Sequence, residues 1–266
     1  MKQQICALLL LCSTLSNALK LDRVIIATDA NPEYIEFWPV VAKTWKELIG
    51  LTPTLALIAH KDVYVDESLG EVIRIEPIEG IPTSLQAQTV RLLLPALFPE
   101  DVCIISDIDM IPLSRAYFMD SVAPFSDDSF IVYRDKAYDE HDFRFPMCYV
   151  AAKGKVFKEV FNVHSLTDIR RIITYWYSFN LGWHTDELML YRYLTQWAQY
   201  EKKCIKLGHT LQDIIEKRID RMDWVYNAHL LKVGYYVDVH CPRPYSKYKD
   251  EIDTIVTTKQ NVIEKE

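Results

Sequence analysis

The chain has 266 residues, half of them apolar, which is enough for one sizeable α/β core. Its net charge of −7 at pH 7 argues against nucleic acid as a partner, because phosphate backbones select basic faces. Twelve per cent aromatic residues, only seven glycines, and no internal repeat or low-complexity tract argue against a disordered or repeat architecture.

The chain opens like a secretory signal. Lys2 gives a positive start, Ile5 to Leu15 is an apolar run, and Ser16-Asn17-Ala18 offers small residues for cleavage. The run is about half of the roughly 20 residues a bilayer span requires, so no stable transmembrane segment is expected. A buried first strand or helix is the alternative. Cleavage after Ala18 divides the chain into a signal peptide, residues 1–18, and one domain, residues 19–266, located in the secretory-pathway lumen or secreted. Without a functional signal the protein is expected in the cytoplasm. Cleavage also removes Cys6 and Cys12, leaving Cys103, Cys148, Cys204 and Cys241 without zinc-like spacing. One or two disulfides are open to these four in an oxidising compartment, although Cys103 lies in an apolar strand pattern and reads as a buried thiol.

Val24 to Ala27 is short, apolar and β-branched, a buried strand ending at Thr28-Asp29. Tyr34, Phe37, Val41, Trp45 and Leu48 then fall at helical spacing behind Pro32-Glu33, and Gly50 is a stop. Thr54 to Ile58 and Val72 to Ile75 read as strands, the second closed by the loop Pro77 to Pro82. A helix runs from about Ser84 to Leu94, where Pro95 and Pro99 punctuate its end, and Val102 to Ser106 is a fourth strand. Strands alternating with helices at this spacing predict βαβ units and a mainly parallel sheet. The second half is less regular. Phe130 to Tyr133 and Met147 to Ala151 read as short strands, and Lys155 to Val163, Thr185 to Ala198 and Leu211 to Lys217 as helices. Gly234 to His240 reads as a strand leading into a Pro-rich, basic loop.

The sharpest signal is Asp107-Ile108-Asp109, two carboxylates separated by one residue at the end of an apolar strand. In an open α/β sheet, ligands gather beyond the carboxyl ends of the strands, and paired acidic oxygens there suit a hard divalent ion. Such an ion neutralises a diphosphate and improves it as a leaving group. The plain alternative is that both residues cap the strand or the next turn.

The surrounding stretch is more specific than the acidic pair. Arg91 and Leu92 on a helix, Pro95 and Pro99 at its end, the strand, and then Asp107 and Asp109 together resemble the central part of GT-A glycosyltransferases, especially those of family 8. The match covers about a tenth of the chain. It implies a single-domain, GT-A type, Rossmann-like fold with a mainly parallel sheet and flanking helices. It implies a hexosyltransferase that uses Mn²⁺ or Mg²⁺, takes a nucleotide-sugar donor (UDP first, GDP second) and glycosylates a hydroxyl on a glycan, lipid or protein acceptor.

Carried over by position, Thr28 and Asp29 touch the base or ribose, Arg91 faces the donor, and Asp107 and Asp109 hold the metal with the diphosphate. Asp186-Glu187 opens a predicted helix, where acids also favour the dipole; by resemblance one of the two orients the acceptor hydroxyl or acts as a base. Family 8 has Asp-Gln at the comparable place, so this Asp-Glu leaves a retaining or inverting outcome open. Near the C-terminus, His240 is a third metal ligand by resemblance, with Arg243 and Lys247 as cations for the phosphates. The family's intervening glycine is replaced by Pro242 and Pro244.

Tyr175-Trp176-Tyr177 and Trp183 can stack on sugar faces, although aromatics in such number usually belong to cores. Two rivals remain. A nucleotidyltransferase also pairs carboxylates with metal, but Thr28-Asp29-Ala30-Asn31-Pro32 has no glycine for a phosphate loop. A non-catalytic protein that binds nucleotide-sugar or glycan on a GT-A-like frame is the second, with a broken acidic pair or a lost terminal His as its expected mark.

Overall fold

The computed structural model describes residues 18–139 and 141–263, so the signal-like segment up to residue 17 lies outside the described residues. The chain on both sides of the expected cleavage point is anchored. Ala18 bridges to Ser126, the Leu19 amide donates to the Phe125 carbonyl at 2.7 Å, and Leu19 and Leu21 are buried.

The strands are β1 Arg23–Asp29, β2 Thr52–Ile58, β3 Glu71–Ile75, β4 Val102–Asp107, β5 Met110–Pro112, β6 Phe130–Val132, β7 Val150–Lys153, β8 Cys204–Lys206, β9 Arg218–Asp220 and β10 Asp238–His240. The α-helices are α1 Pro32–Ile35, α2 Trp38–Thr44, α3 Thr83–Leu93, α4 Gly154–Phe161, α5 Leu166–Tyr177, α6 Thr185–Gln196, α7 Tyr200–Lys203, α8 Leu211–Lys217, α9 Ala228–Lys232 and α10 Tyr245–Ile263. Seven strands form the central sheet in the order β3-β2-β1-β4-β7-β6-β8. β1 pairs in parallel with β2 and β4, β2 with β3, and β6 with β8, while β7 runs antiparallel between β4 and β6. This is a Rossmann-like, mainly parallel sheet with flanking helices in a single domain.

Strand alternation sends each face of the sheet into its own core. Val24, Ile26, Leu55, Leu57 and Ile104 pack on one side with α2, Trp45 and residues of α10. Ile25, Ala56, Ile58, Cys103 and Ile105 pack on the other with α3, α4, α5 and α6. Cys103 is the buried thiol its strand pattern predicts, and Cys148, Cys204 and Cys241 are also free, so no disulfide links the described cysteines.

The chain turns one way from β1 to β2 and β3 and places β4 on the other side of β1. The carboxyl ends of β1 and β4 therefore flank a topological switch point, the place where open α/β sheets leave a crevice. Ala27 stands beside Asp107 in this register. A second sheet, β5-β10-β9, closes the crevice from below, placing Met110 opposite His240 and His240 beside Asp220.

Several elements depart from the sequence reading. The helix predicted through Leu48 breaks into α1, α2 and a π-helical turn, because Pro39 is accommodated only in the first turn of a helix. The strand expected at Met147 begins at Val150, and the one expected from Gly234 is confined to Asp238–His240. The basic stretch after Pro244 is helix α10, with Ile252, Ile255 and Val256 buried at helical spacing. Among the described residues, no helix is long and apolar enough to cross a membrane.

Candidate active site

A cavity of about 400 Å³ opens at the switch point, within the usual range of small-molecule sites. Thr28 and Asp29 from β1, Arg91 from α3, Asp107 and Asp109 from the β4 end, Asp186 and Glu187 from α6, and His240 and Arg243 beyond β10 all line it. Lys247 does not line the cavity; its Nζ lies 5.0 Å from the Tyr248 ring centroid.

Asp109 is the focus of the floor. It is buried, and its Oδ2 accepts from Arg221 Nη1 at 2.8 Å and lies 3.6 Å from Arg243 Nε and 3.8 Å from His240 Nε2. The backbone fixes it as well, since the Cys241 amide donates to the Asp109 carbonyl at 2.9 Å. His240 Nδ1 is 3.3 Å from Asp220 Oδ2. Donation from Nδ1 to that carboxylate leaves the Nε2 lone pair facing Asp109, which is how outer carboxylates orient metal-binding imidazoles. Burial pushes the Asp220 carboxyl up, but hydrogen bonds from His240 and the Met222 amide outweigh it and hold the group below its ordinary range.

Arg91 is buried in α3 and bridges two acids, Asp107 on one side and Asp186 Oδ2 at 3.1 Å on the other. Asp186 has no exposed surface. Burial pushes its carboxyl up to about 6, against the opposing pull of Arg91. Glu187, the next residue, also lines the cavity and is the less buried of the two. It accepts from the Tyr138 hydroxyl, lies 2.8 Å from His184 Nδ1, and is 3.5 Å from Arg144. Burial and the neighbouring Glu187 raise the Tyr138 hydroxyl well above its ordinary value, so it stays a donor.

Asp29 is tied into the wall by the Thr83 hydroxyl at 2.8 Å and the Asn31 amide at 3.1 Å. On the opposite wall, buried Asp238 accepts from Arg134 at 2.8 Å, Tyr149 at 2.9 Å and Arg218 at 3.2 Å. Of the aromatic cluster, Trp176 is core, whereas Trp183 is 65% exposed and lines the cavity mouth.

Arg134, Tyr138, Arg218, Asp220 and Arg221 were not singled out from the sequence. Only Arg218-Ile219-Asp220-Arg221 carries a local signal, three charges around one apolar residue. Its meaning depends on β9 pairing with β10, a contact between distant segments.

The cavity combines five carboxylates (Asp29, Asp107, Asp109, Asp186, Glu187) with five guanidiniums (Arg91, Arg134, Arg218, Arg221, Arg243) and one imidazole. It is polar at the floor and apolar toward Leu211, Ile214 and Met147. Such a site can take a ligand that carries both charge and an uncharged body.

No protein-family model and no curated protein matches the chain. Among solved structures, the chain is similar to galactosyltransferase LgtC in complex with donor and acceptor sugar analogues, at 11% identity and a TM-score of 0.48, over 89% of this chain and 95% of that one. It is also similar to the glycosyltransferase GlyE of Streptococcus pneumoniae TIGR4, at 12% identity and a TM-score of 0.46. That match covers 90% of this chain and 63% of GlyE.

Proposed function

We propose that the protein is a metal-dependent glycosyltransferase that moves a sugar from a nucleoside-diphosphate donor to an acceptor hydroxyl. The observation that carries this reading is the floor of the cavity: a carboxylate pair at the switch point, with His240 Nε2 3.8 Å from Asp109 Oδ2 and its other ring nitrogen held by Asp220.

The donor set of carboxylate oxygen and imidazole nitrogen suits Mn²⁺ or Mg²⁺. Among the described residues no three such side chains converge tightly enough to hold an ion by themselves. That fits a cation bound by few protein ligands and completed by substrate phosphates, the common arrangement for Mg²⁺ with nucleotides. Asp107, Asp109 and His240 are the residues that would hold it; Asp109 and His240 stand 3.8 Å apart, while Asp107 is paired with Arg91 and would have to leave it. When bound, it would offset the diphosphate charge and make the nucleoside diphosphate a better leaving group.

The chain's own groups supply the rest. Arg243 stands beside Asp109, where phosphate oxygens gather, and Thr28 and Asp29 border the base and ribose end. Asp186 orients Arg91 from behind, and Glu187, fixed by Tyr138 and His184, faces the acceptor and holds or takes its hydroxyl proton. UDP is the nucleotide we infer first and GDP second. The signal-like start supports an endomembrane lumen supplied with nucleotide sugar as the site of action.

The test is calorimetric titration of residues 19–266 with UDP and GDP, each with and without Mn²⁺. Nucleotide binding that needs Mn²⁺ is expected, with Asp109→Asn abolishing it while the circular dichroism spectrum is kept. Metal-indifferent binding, or normal affinity in that variant, overturns the metal assignment. Nucleotide binding without turnover of any donor sugar favours the non-catalytic binding protein.

A further inference from the structure

The central carboxylate of the cavity floor already has cationic partners. Asp109 Oδ2 is shared by Arg221 at 2.8 Å and Arg243 at 3.6 Å, so two guanidiniums face one carboxylate. The five arginines of the cavity are not equally held. Arg91, Arg134 and Arg218 have side-chain exposures of 8%, 2% and 11% and are fixed between several partners. Arg243 also lies over the Tyr34 ring, 4.6 Å from its centroid. Arg221 has 28% of its side chain exposed and, among the described residues, a single hydrogen bond, to Asp109. It follows β9 directly, where strand pairing fixes Asp220 beside His240 and then ends. A buried carboxylate thus holds a part-exposed guanidinium by a single hydrogen bond.

We propose that Arg221 is the resident counter-ion of Asp109 and that it passes to the donor diphosphate when a divalent cation takes that carboxylate. The proposal rests on the donor reading given above. The ion pair explains the direction. With Arg221 on Asp109 at 2.8 Å, a divalent cation arriving alone has to break that pair and leave the guanidinium without its hydrogen-bond partner, which opposes entry. A nucleotide alone leaves Arg221 on Asp109 and finds that guanidinium already engaged. When both arrive, the diphosphate takes the displaced guanidinium as a bidentate partner, a geometry that guanidinium matches and ammonium does not. Cation and nucleotide therefore assist each other's binding by the same factor, as linkage requires.

The experiment measures Mn²⁺ affinity without nucleotide, UDP affinity without Mn²⁺, and UDP affinity with saturating Mn²⁺, by calorimetry on residues 19–266. In the natural sequence each ligand is expected to strengthen the other by roughly 5- to 150-fold, the usual range of coupling between sites. In Arg221→Gln, Mn²⁺ measured alone is expected to bind more tightly, because Asp109 is released, while UDP with Mn²⁺ binds more weakly. The coupling factor then falls toward one. A merely structural role would weaken both ligands instead. Arg221→Lys keeps the charge with a looser hold on Asp109, so tighter Mn²⁺ binding with reduced coupling is expected there too. It carries the test if the glutamine variant does not fold. Unchanged or weaker Mn²⁺ affinity in a folded variant overturns the proposal. Independent binding of both ligands to the natural sequence overturns it while leaving the donor reading standing. Failure to bind either ligand overturns both.

Discussion

Asp186 and Glu187 are neighbours in sequence that the fold separates into different environments. Asp186 is fully enclosed behind Arg91, with its carboxyl raised to about 6 from an ordinary 3.8. A raised carboxyl binds its proton more tightly in the folded than in the unfolded chain, so its contribution to stability is present at low pH. That contribution is lost as pH rises from about 4 through about 6. The expected loss is about 3 kcal/mol. Urea unfolding of the natural sequence and of Asp186→Asn across this window measures it; the two should differ in slope, and parallel curves would remove the assignment. At this scale the sequence was informative about kind and silent about partnership. Asp107 and Asp109, which line the cavity, were legible because acids at a strand end are a local pattern, whereas His240, which lines it too, was reached through the resemblance. Arg221 was not legible, because only the pairing of β9 with β10 brings it to Asp109, and no local spacing encodes that.

Elements show the same division between local and distant causes. The strands β1, β2 and β4 were readable as apolar runs since both of their faces are covered, β3 at the sheet edge is shorter and only partly buried, and α3 was readable up to its terminating prolines. β7 was misplaced by a few residues because Met147 and Cys148, although apolar, line the cavity rather than the sheet. Helix α10 was obscured by Pro242, Pro244 and its own lysines, although Ile252, Ile255 and Val256 keep helical spacing. Helix α4 shows how tightly such elements seat. A methyl group on Gly154 would come within 2.0 Å of the Phe98 carbonyl oxygen and 2.6 Å of that of Pro95. The Gly154 amide also donates to the Asp101 carbonyl at 2.9 Å. Gly154→Ala is therefore expected to cost about 1–3 kcal/mol, as overpacking does, read as a lower denaturation midpoint with an unchanged slope. An unchanged midpoint would mean that the turn before β4 shifts freely.

For the molecule as a whole, the two cores depend on each other through one sheet. The core on the α10 side is completed by Ile252, Ile255 and Val256, each nearly or fully buried. Burying aliphatic side chains of this size is worth about 1.5–3 kcal/mol each, so the three together rival the roughly 5–15 kcal/mol by which domains are stable. A chain ended after Pro244 keeps every residue that lines the cavity, yet is expected to lose its cooperative unfolding transition and to bind hydrophobic dyes. A truncated chain with a sharp transition near the natural midpoint would show that α10 is an ornament of the fold.

The small sheet β5-β10-β9 has one more consequence, and it concerns synthesis. Asp220 and His240 meet Asp109 only through strands more than a hundred residues further along the chain. A nascent chain of two hundred residues already has the acidic pair at the end of β4, but neither the imidazole nor the guanidinium that complete its surroundings. Under the donor reading, affinity for nucleotide then arises late, once the strand carrying His240 has left the ribosome and docked. From that moment the ligand favours the assembled form over partly folded ones by mass action, in proportion to its concentration above the dissociation constant. A compartment rich in donor would thus also be the one in which a newly made chain is held most firmly in its finished shape.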